Sequence, residues 1–229
     1  TAFQPIVDLK DKSIHAYEML GRGNHSFLER GPGPLFNKAE SFHLAVALSE
    51  LFRSVGVALA ESFHTSQPYF LNIHPEEHND NGRLLEQLQE LRFRHPSVGL
   101  VLELHEQVTS NVKELRKLKS ELEKLDIRFA YDDFGAGQTR LLELVEVPAD
   151  YLKFDIALVK DIHLATPAHR EMVQVLVRQA KKAGTLTLAE GIEVEADVNV
   201  CQDLGFDFVQ GFYFGKPLEG KIQRLLSDL

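Results

Sequence analysis

Over the first twenty residues, apolar and polar positions alternate. Phe3 to Leu9 and Ile14 to Leu20 flank Lys10-Asp11-Lys12, the pattern of two strands joined in a hairpin. Beyond residue 20 the rhythm changes, and short apolar runs alternate with stretches whose leucines recur at three and four, as at Leu115, Leu118 and Leu122. The runs are Tyr69–Ile73, Gly99–Leu104, Ile127–Asp132, Tyr151–Asp155, Leu186–Glu190 and Phe206–Gln210. Helices are predicted between them over roughly 38–60, 83–93, 110–125, 166–183 and 195–204. Strand followed by helix, repeated with no break in composition, predicts parallel βαβ units in one α/β domain spanning residues 1–229. Eight strands, the last near the C-terminus, predict closure into a modified TIM (β/α)8 barrel, although a doubly wound open sheet fits the same alternation. The opening hairpin makes the first strand antiparallel to the others, a departure from the regular barrel. Gly31-Pro32-Gly33-Pro34 reads as a loop after the second strand.

Composition narrows the partners. The chain holds 34 acidic and 25 basic residues, a formal charge of −9. That balance argues against DNA or RNA held by blanket phosphate neutralisation and against a polybasic membrane anchor. No apolar run reaches the ~18–20 residues that span a bilayer, so no membrane contact by this domain is expected. The single cysteine, Cys201, excludes a disulfide within the chain and fits a reducing, cytoplasmic setting. It reads as a small buried apolar residue. The chain opens on Thr1 rather than methionine, which suggests a domain cut from a longer protein, one that could itself be membrane-tethered. A total charge does not say whether acidity is diffuse or gathered in one place.

The strand ends do say it. Seven of the eight strands end in a polar residue that a strand core excludes: Glu18, Asn72, Glu103, Asp132, Lys153, Glu190 and Gln210. Seven in succession at the same end define a ring at the C-terminal mouth of a barrel, where barrel enzymes place their chemistry. In Tyr151–Ile156, the two-residue strand period sets Lys153 and Asp155 on one face and Leu152, Phe154 and Ile156 on the other. The apolar face meets the outer helices, so the lysine and the aspartate point inward. Unpaired charges in a barrel interior cost several kcal/mol each, so they must be paired, protonated or metal-bound. One lysine cannot neutralise this many carboxylates, and a divalent cation can. Asp132 and Asp133 would face opposite ways in a regular strand, so both meet one site only where the strand ends; Gly135 and Gly137 permit that turn. Hard oxygen donors favour Mg²⁺ or Mn²⁺ over Zn²⁺. An aspartate bridging two ions ~3.5–4 Å apart suits hydrolysis of a phosphate ester.

At these residues the sequence resembles the EAL-domain family, phosphodiesterases that hydrolyse cyclic di-GMP to linear pGpG. The resemblance runs from Phe3-Gln4-Pro5-Ile6-Val7 through Glu18-Met19-Leu20 with Arg22, Leu71-Asn72-Ile73-His74-Pro75 and Glu103-Leu104-His105-Glu106. It continues through Asp132-Asp133-Phe134-Gly135-Ala136-Gly137, Lys153-Phe154-Asp155, Ala189-Glu190-Gly191-Ile192-Glu193 and Gln210-Gly211 to Pro217. It implies Glu18, Asn72, Glu103 and Asp132 as ligands of a first Mg²⁺ or Mn²⁺ ion, and Asp132, Asp133 and Glu190 as ligands of a second. Lys153 would hold the attacking water or the charge developing on phosphorus, and Glu190 is the other candidate for activating water. Arg22 is expected on a substrate phosphate, where its fork suits the anion. Gln210 and Asp155 are expected beside the substrate, and Glu106 and Glu193 behind the metal ligands in support of the chemistry. The resemblance also implies a homodimer and flanking sensory or cyclase domains.

Departures from the family pattern sit beside these matches. Met19 replaces an alanine, Gly23 stands where an aromatic is common, and His74 where a serine is common. Ala136-Gly137-Gln138-Thr139-Arg140 replaces Thr-Gly-Tyr-Ser-Ser in a loop that couples metal binding to dimerisation, which puts turnover in question. The alternative is therefore a weak or inactive domain that serves as a cyclic di-GMP receptor. Two other readings are weaker. His74-Pro75-Glu76-Glu77-His78 matches a His-x-x-Glu-His zinc pattern, but the segment leaves a strand with proline at its second position. A Mg²⁺-dependent lyase would want a second inward base, and Lys153 is the only inward lysine found.

Overall fold

Eight strands close on themselves in the computed structural model, which describes residues 1–24, 31–105, 112–136 and 141–224. The hairpin forms as the alternation predicts, with β1 (Ala2–Asp8) antiparallel to β2 (Ile14–Leu20). The sheet then runs in parallel through β3 (Tyr69–Asn72), β4 (Leu100–His105), β5 (Ile127–Phe134), β6 (Tyr151–Phe154), β7 (Leu186–Ala189) and β8 (Phe208–Gln210). β8 returns to pair antiparallel with β1 and closes the barrel. A short β9 (Leu218–Glu219) lies against the first residues of β1. This is the barrel with an antiparallel first strand, and the open sheet is excluded.

Packing follows the strand period. Ile6, Ala16, Phe70, Val101, Ala130, Tyr151, Leu188 and Phe208 form a sealed apolar layer inside the barrel. Two larger clusters fill the space between strands and outer helices. On the seven parallel strands, the residue two positions beyond the sealed layer is Glu18, Asn72, Glu103, Asp132, Lys153, Glu190 or Gln210. The polar ring is thus one layer above the apolar one.

The helices depart from expectation at their boundaries. The single helix expected over 38–60 is two, α1 (Pro32–Glu40) and α2 (Ala45–Ser62), broken where His43 takes a left-handed φ of 57°. Gly31-Pro32-Gly33-Pro34 starts α1 rather than remaining loop, because proline in the first helical turn lacks only an N–H that would go unused there. After a short 3₁₀ turn, α3 spans Asn81–Arg94. There follow α4 (Val112–Lys124), α5 (Leu141–Glu146), α6 (Ile156–Val159), α7 (Pro167–Lys182) and α8 (Glu195–Leu204). α5 and α6, of six and four residues, are too short to show in leucine spacing. Among the described residues, no helix is long and apolar enough to cross a membrane.

One glycine fixes the mouth. A Cβ on Gly211 would lie 2.0 Å from the Ile192 carbonyl oxygen. This close approach lets the Ile192 N–H donate to the Gln210 carbonyl and the Tyr213 N–H donate to the Ile192 carbonyl, each at 3.0 Å. It thereby draws the loop carrying Glu190 against the end of β8. Gly211→Ala should destabilise the fold by about 3 kcal/mol, because backbone cannot yield as a side chain does. Gly33→Ala, where nothing lies within 4 Å of the added carbon, should stay within about 0.5 kcal/mol. Urea denaturation midpoints of the two variants test the contrast.

Candidate functional site

Lys153 stands at the centre of the ring, 1% exposed. Its Nζ lies 2.9 Å from Asp132 Oδ1, 2.9 Å from Glu190 Oε1 and 3.8 Å from Glu18 Oε1, and it pairs closely with Glu103 Oε1. Asn72 donates to Glu18 Oε1 at 3.1 Å, and Gln210 donates to Glu18 Oε2 at 2.6 Å. Every member predicted for the ring is therefore in it, and all seven are linked through Lys153 and Glu18.

The ring has an eighth member that strand-end reasoning missed. Gln4 accepts from Gln210 at 3.2 Å and donates to the Gly215 carbonyl. It pairs with Glu18 across the hairpin. Because β1 runs antiparallel, its mouth end is its beginning, and the residue two before Ile6 holds the place that others reach two after. The hairpin pattern contained that signal.

Asp132 and Asp133 reach one site by a different device from the one expected. The strand does not end there; β5 runs on to Phe134. Its pairing with β6 slips between Tyr131 and Phe134, and Asp133 takes a φ of 56°. This bulge breaks the alternation, so that carboxylate oxygens of Asp132, Asp133 and Glu190 all lie within 4.8 Å of one another. Aspartate tolerates the left-handed region better than most side chains. His105, which ends β4, lies 2.8 Å from Asp133 Oδ2 through its Nε2.

Behind the ring lies a support that the sequence did not reveal. Arg53 on α2 forms a two-pronged ion pair with Glu77, at 2.9 and 2.5 Å, with both side chains 2% exposed. Arg53 also donates to the Asn72 carbonyl, to Ser49 and to Gln87, while Glu77 accepts the His74 N–H. One buried guanidinium thus fastens the end of β3, and with it Asn72, to α2 and α3. The His-x-x-Glu-His motif is spent in this scaffold. His74 caps the 3₁₀ turn, accepting from the Glu76 N–H while its Nε2 faces Glu40, and the side chain of His78 lies outside the described residues.

The remaining predicted residues sit apart from the carboxylate cluster. Arg22 donates to the neighbouring Gly21 carbonyl. Asp155 follows the last residue of β6 and caps α6 by accepting the Ala157 N–H. Glu193 is exposed and lines a cavity of about 240 Å³ with Gln4, Glu18, Glu190 and Gln210. Glu106 lies outside the described residues, as does the loop stretch 137–140. A larger cavity, about 540 Å³, opens on the other flank between Phe36, Phe52, Asn72, His105 and Asp133. The carboxylates thus lie between two hollows.

Electrostatics at the ring are unbalanced. Five carboxylates, those of Glu18, Glu103, Asp132, Asp133 and Glu190, face one ammonium with three protons to give. Among the described residues, both oxygens of Glu103 and Oδ1 of Asp132 receive no hydrogen bond of good geometry, although Lys153 lies within ion-pairing distance of two of them. Burial, reinforced by the other acids, holds Glu103 well above the usual carboxylate range, raises Asp132 and pushes Glu190 up to about 8. Burial alone would lower Lys153, but the surrounding carboxylates more than reverse it and hold the ammonium well above its ordinary value. Asp133 goes the other way, lowered chiefly by its hydrogen bond from His105. Unsatisfied buried oxygens beside acids that burial holds above their ordinary range are the donor set that a divalent cation would complete.

A family model described as the EAL domain matches residues 1–217. The chain is 29% identical over 224 residues to the probable cyclic di-GMP phosphodiesterase PdeN of Escherichia coli, covering 95% of this chain and 43% of PdeN. It is 26% identical over 223 residues to the cyclic di-GMP phosphodiesterase NbdA of Pseudomonas aeruginosa, covering 94% of this chain and 28% of NbdA. The chain therefore spans less than half the length of these curated relatives. Among solved structures, the manganese/cy-diGMP complex of Klebsiella pneumoniae BlrP1 is similar with a TM-score of 0.82 at 25% identity, over 95% of this chain and 55% of that one.

The raised acids give stability a defined pH dependence. Glu190 binds its proton more tightly folded, at about 8, than unfolded, near 4.5. Its contribution is full below the unfolded value and is lost as pH rises through about 8. Cation-free protein should lose melting temperature between about pH 6 and 8.5, and Glu190→Gln should flatten that slope. Mn²⁺ should raise the melting temperature more at the upper pH, where it no longer competes with the proton. Thermal scans with and without EDTA check both signs.

Proposed function

The chain belongs to the EAL domain family, and from that premise we propose that it is a metal-dependent phosphodiesterase that opens cyclic di-GMP to linear pGpG. The observation that carries the reading is the intact acidic ring with its buried lysine. Each carboxylate and amide expected to hold a cation is present at the mouth, with buried oxygens left for one to satisfy. The relatives named as cyclic di-GMP phosphodiesterases and the manganese complex of BlrP1 support it.

On this reading Glu18, Asn72, Glu103 and Asp132 would hold a first Mg²⁺ or Mn²⁺ ion, and Asp132, Asp133 and Glu190 a second. Bound there, such ions supply Lewis-acid polarisation of the phosphodiester and a more acidic water. The chain's own groups do the rest. Lys153 keeps its proton at any working pH, so it holds the attacking water or the charge that develops on the phosphoryl oxygens. Glu190, which retains a proton near neutrality in the cation-free ring, either takes the water proton once ionised or completes the second ion. Gln210 and Asn72 hold Glu18 by both oxygens and fix its orientation. Arg22 would swing from the Gly21 carbonyl to a substrate phosphate, with Gln210 and Asp155 at the rim of the substrate. Glu193 and Glu106 would support the chemistry from behind. A second copy of the chain and a cytoplasmic setting belong to the same proposal, as do flanking sensory or cyclase domains, for which the greater length of the relatives leaves room.

Incubation with cyclic di-GMP and Mg²⁺ or Mn²⁺, resolved by chromatography, tests it. Product pGpG is expected, and Glu18→Ala or Lys153→Met should reduce its rate by about 10³-fold or more. Saturable binding of cyclic di-GMP with no product under either metal would establish a receptor instead.

A further inference from the structure

We propose that His105 is a positioning residue that fixes the Asp133 carboxylate for cation binding and thereby sets the affinity of the position formed by Asp132, Asp133 and Glu190. The inference rests on the metal-dependent reading above. Asp133 is the least constrained of the three acids. It sits on the bulge of β5 in a left-handed conformation, two residues before Gly135 with a φ of 101°, and its side chain is 34% exposed. Nothing in the barrel's alternation aims such a side chain inward. Ordering a free carboxylate at the moment of binding would cost rotamer entropy that the cation would have to offset.

His105 removes that freedom. The β4 period puts it two residues beyond Glu103, on the inward face at the rim, and the ladder sets it beside Asp132. From there its Nε2 lies 2.8 Å from Asp133 Oδ2. With one oxygen pinned, the carboxylate keeps lone pairs for the cluster it shares with Asp132 and Glu190. His105 is not itself within that cluster of mutually close donor atoms, so its role is carried through Asp133. Carboxylates that bind metals are held by outer hydrogen bonds, and loss of such a partner weakens metal binding by about 10- to 100-fold. His105 and Asp133 also line the 540 Å³ cavity together, so the contact forms part of its wall.

Mn²⁺ titrations by calorimetry and electron paramagnetic resonance test the proposal on the parent, His105→Phe, His105→Gln and Asp133→Asn. His105→Phe keeps a ring without a donor, and should weaken one Mn²⁺ step about tenfold while leaving the other within about twofold, and Asp133→Asn should weaken the same step. His105→Gln restores an N–H near the position of Nε2, and should return that step to within about threefold of the parent. At saturating Mn²⁺ the Phe variant should regain the parent's KM for cyclic di-GMP. Parent-like Mn²⁺ binding in His105→Phe, or a Gln variant as weak as Phe, would overturn the inference while leaving the metal-dependent reading intact. A parent that takes up no Mn²⁺ would overturn both.

Discussion

Five carboxylates and one ammonium confined to the mouth of a rigid barrel set the terms for everything else in this molecule. At the separations around Lys153, like charges repel strongly unless water or counter-ions intervene, and the apolar layer of Ile6, Phe70, Tyr151 and Phe208 seals off any relief from below. Only the mouth remains. Burial, reinforced by the neighbouring acids, raises Glu103, Asp132 and Glu190 above their ordinary range, so protons can meet part of the imbalance where no cation does. A site neutralised by protons exchanges them readily for a divalent ion, since the ion does the same electrostatic work with more charge in less space.

Such a ring would spring apart on a pliant scaffold, and the surrounding structure reads as a set of restraints against that. The Arg53–Glu77 pair locks the end of β3; the close approach at Gly211 locks the loop after β7 to β8; Gln210 on the closing strand holds Glu18 and is itself held by Gln4. Apart from Gln210, these groups act without touching a substrate. Their common effect is to keep repelling oxygens at distances where a cation can gather them, which is preorganisation achieved through ordinary packing and hydrogen bonds.

The ring was legible in the sequence because its rule is simple: a strand alternates with period two, and a polar residue two steps beyond a buried one lies on the same face one layer higher. The rule fails wherever its premises do. It assumes that strands run the same way, so it passed over Gln4. It assumes unbroken alternation, so it sought a strand end at Asp132-Asp133 where the chain makes a bulge. Arg53 and Glu77 were invisible for a different reason: their partnership depends on how α2 and the 3₁₀ turn meet in space, and no local pattern encodes it. The α1 boundary misled because the prolines that punctuate loops also fit the first turn of a helix. What escaped the sequence, then, was mostly chain direction and tertiary meeting, while composition along each element was read well.

The same electrostatics bear on the order of events at the site. Five of the 34 acids of a chain of net charge −9 crowd one pocket, and on the proposed reading that pocket repels an anionic dinucleotide until it is neutralised. Protons can partly neutralise it, but a protonated Glu190 can neither take a proton from water nor complete a cation site, the two roles proposed for it. Only cation binding lowers the negative field and leaves the carboxylates ionised at once. On the proposed reading, metal before substrate follows from having five acids and one lysine in a sealed barrel, and a receptor built on this ring would inherit the same order even if it never turned over.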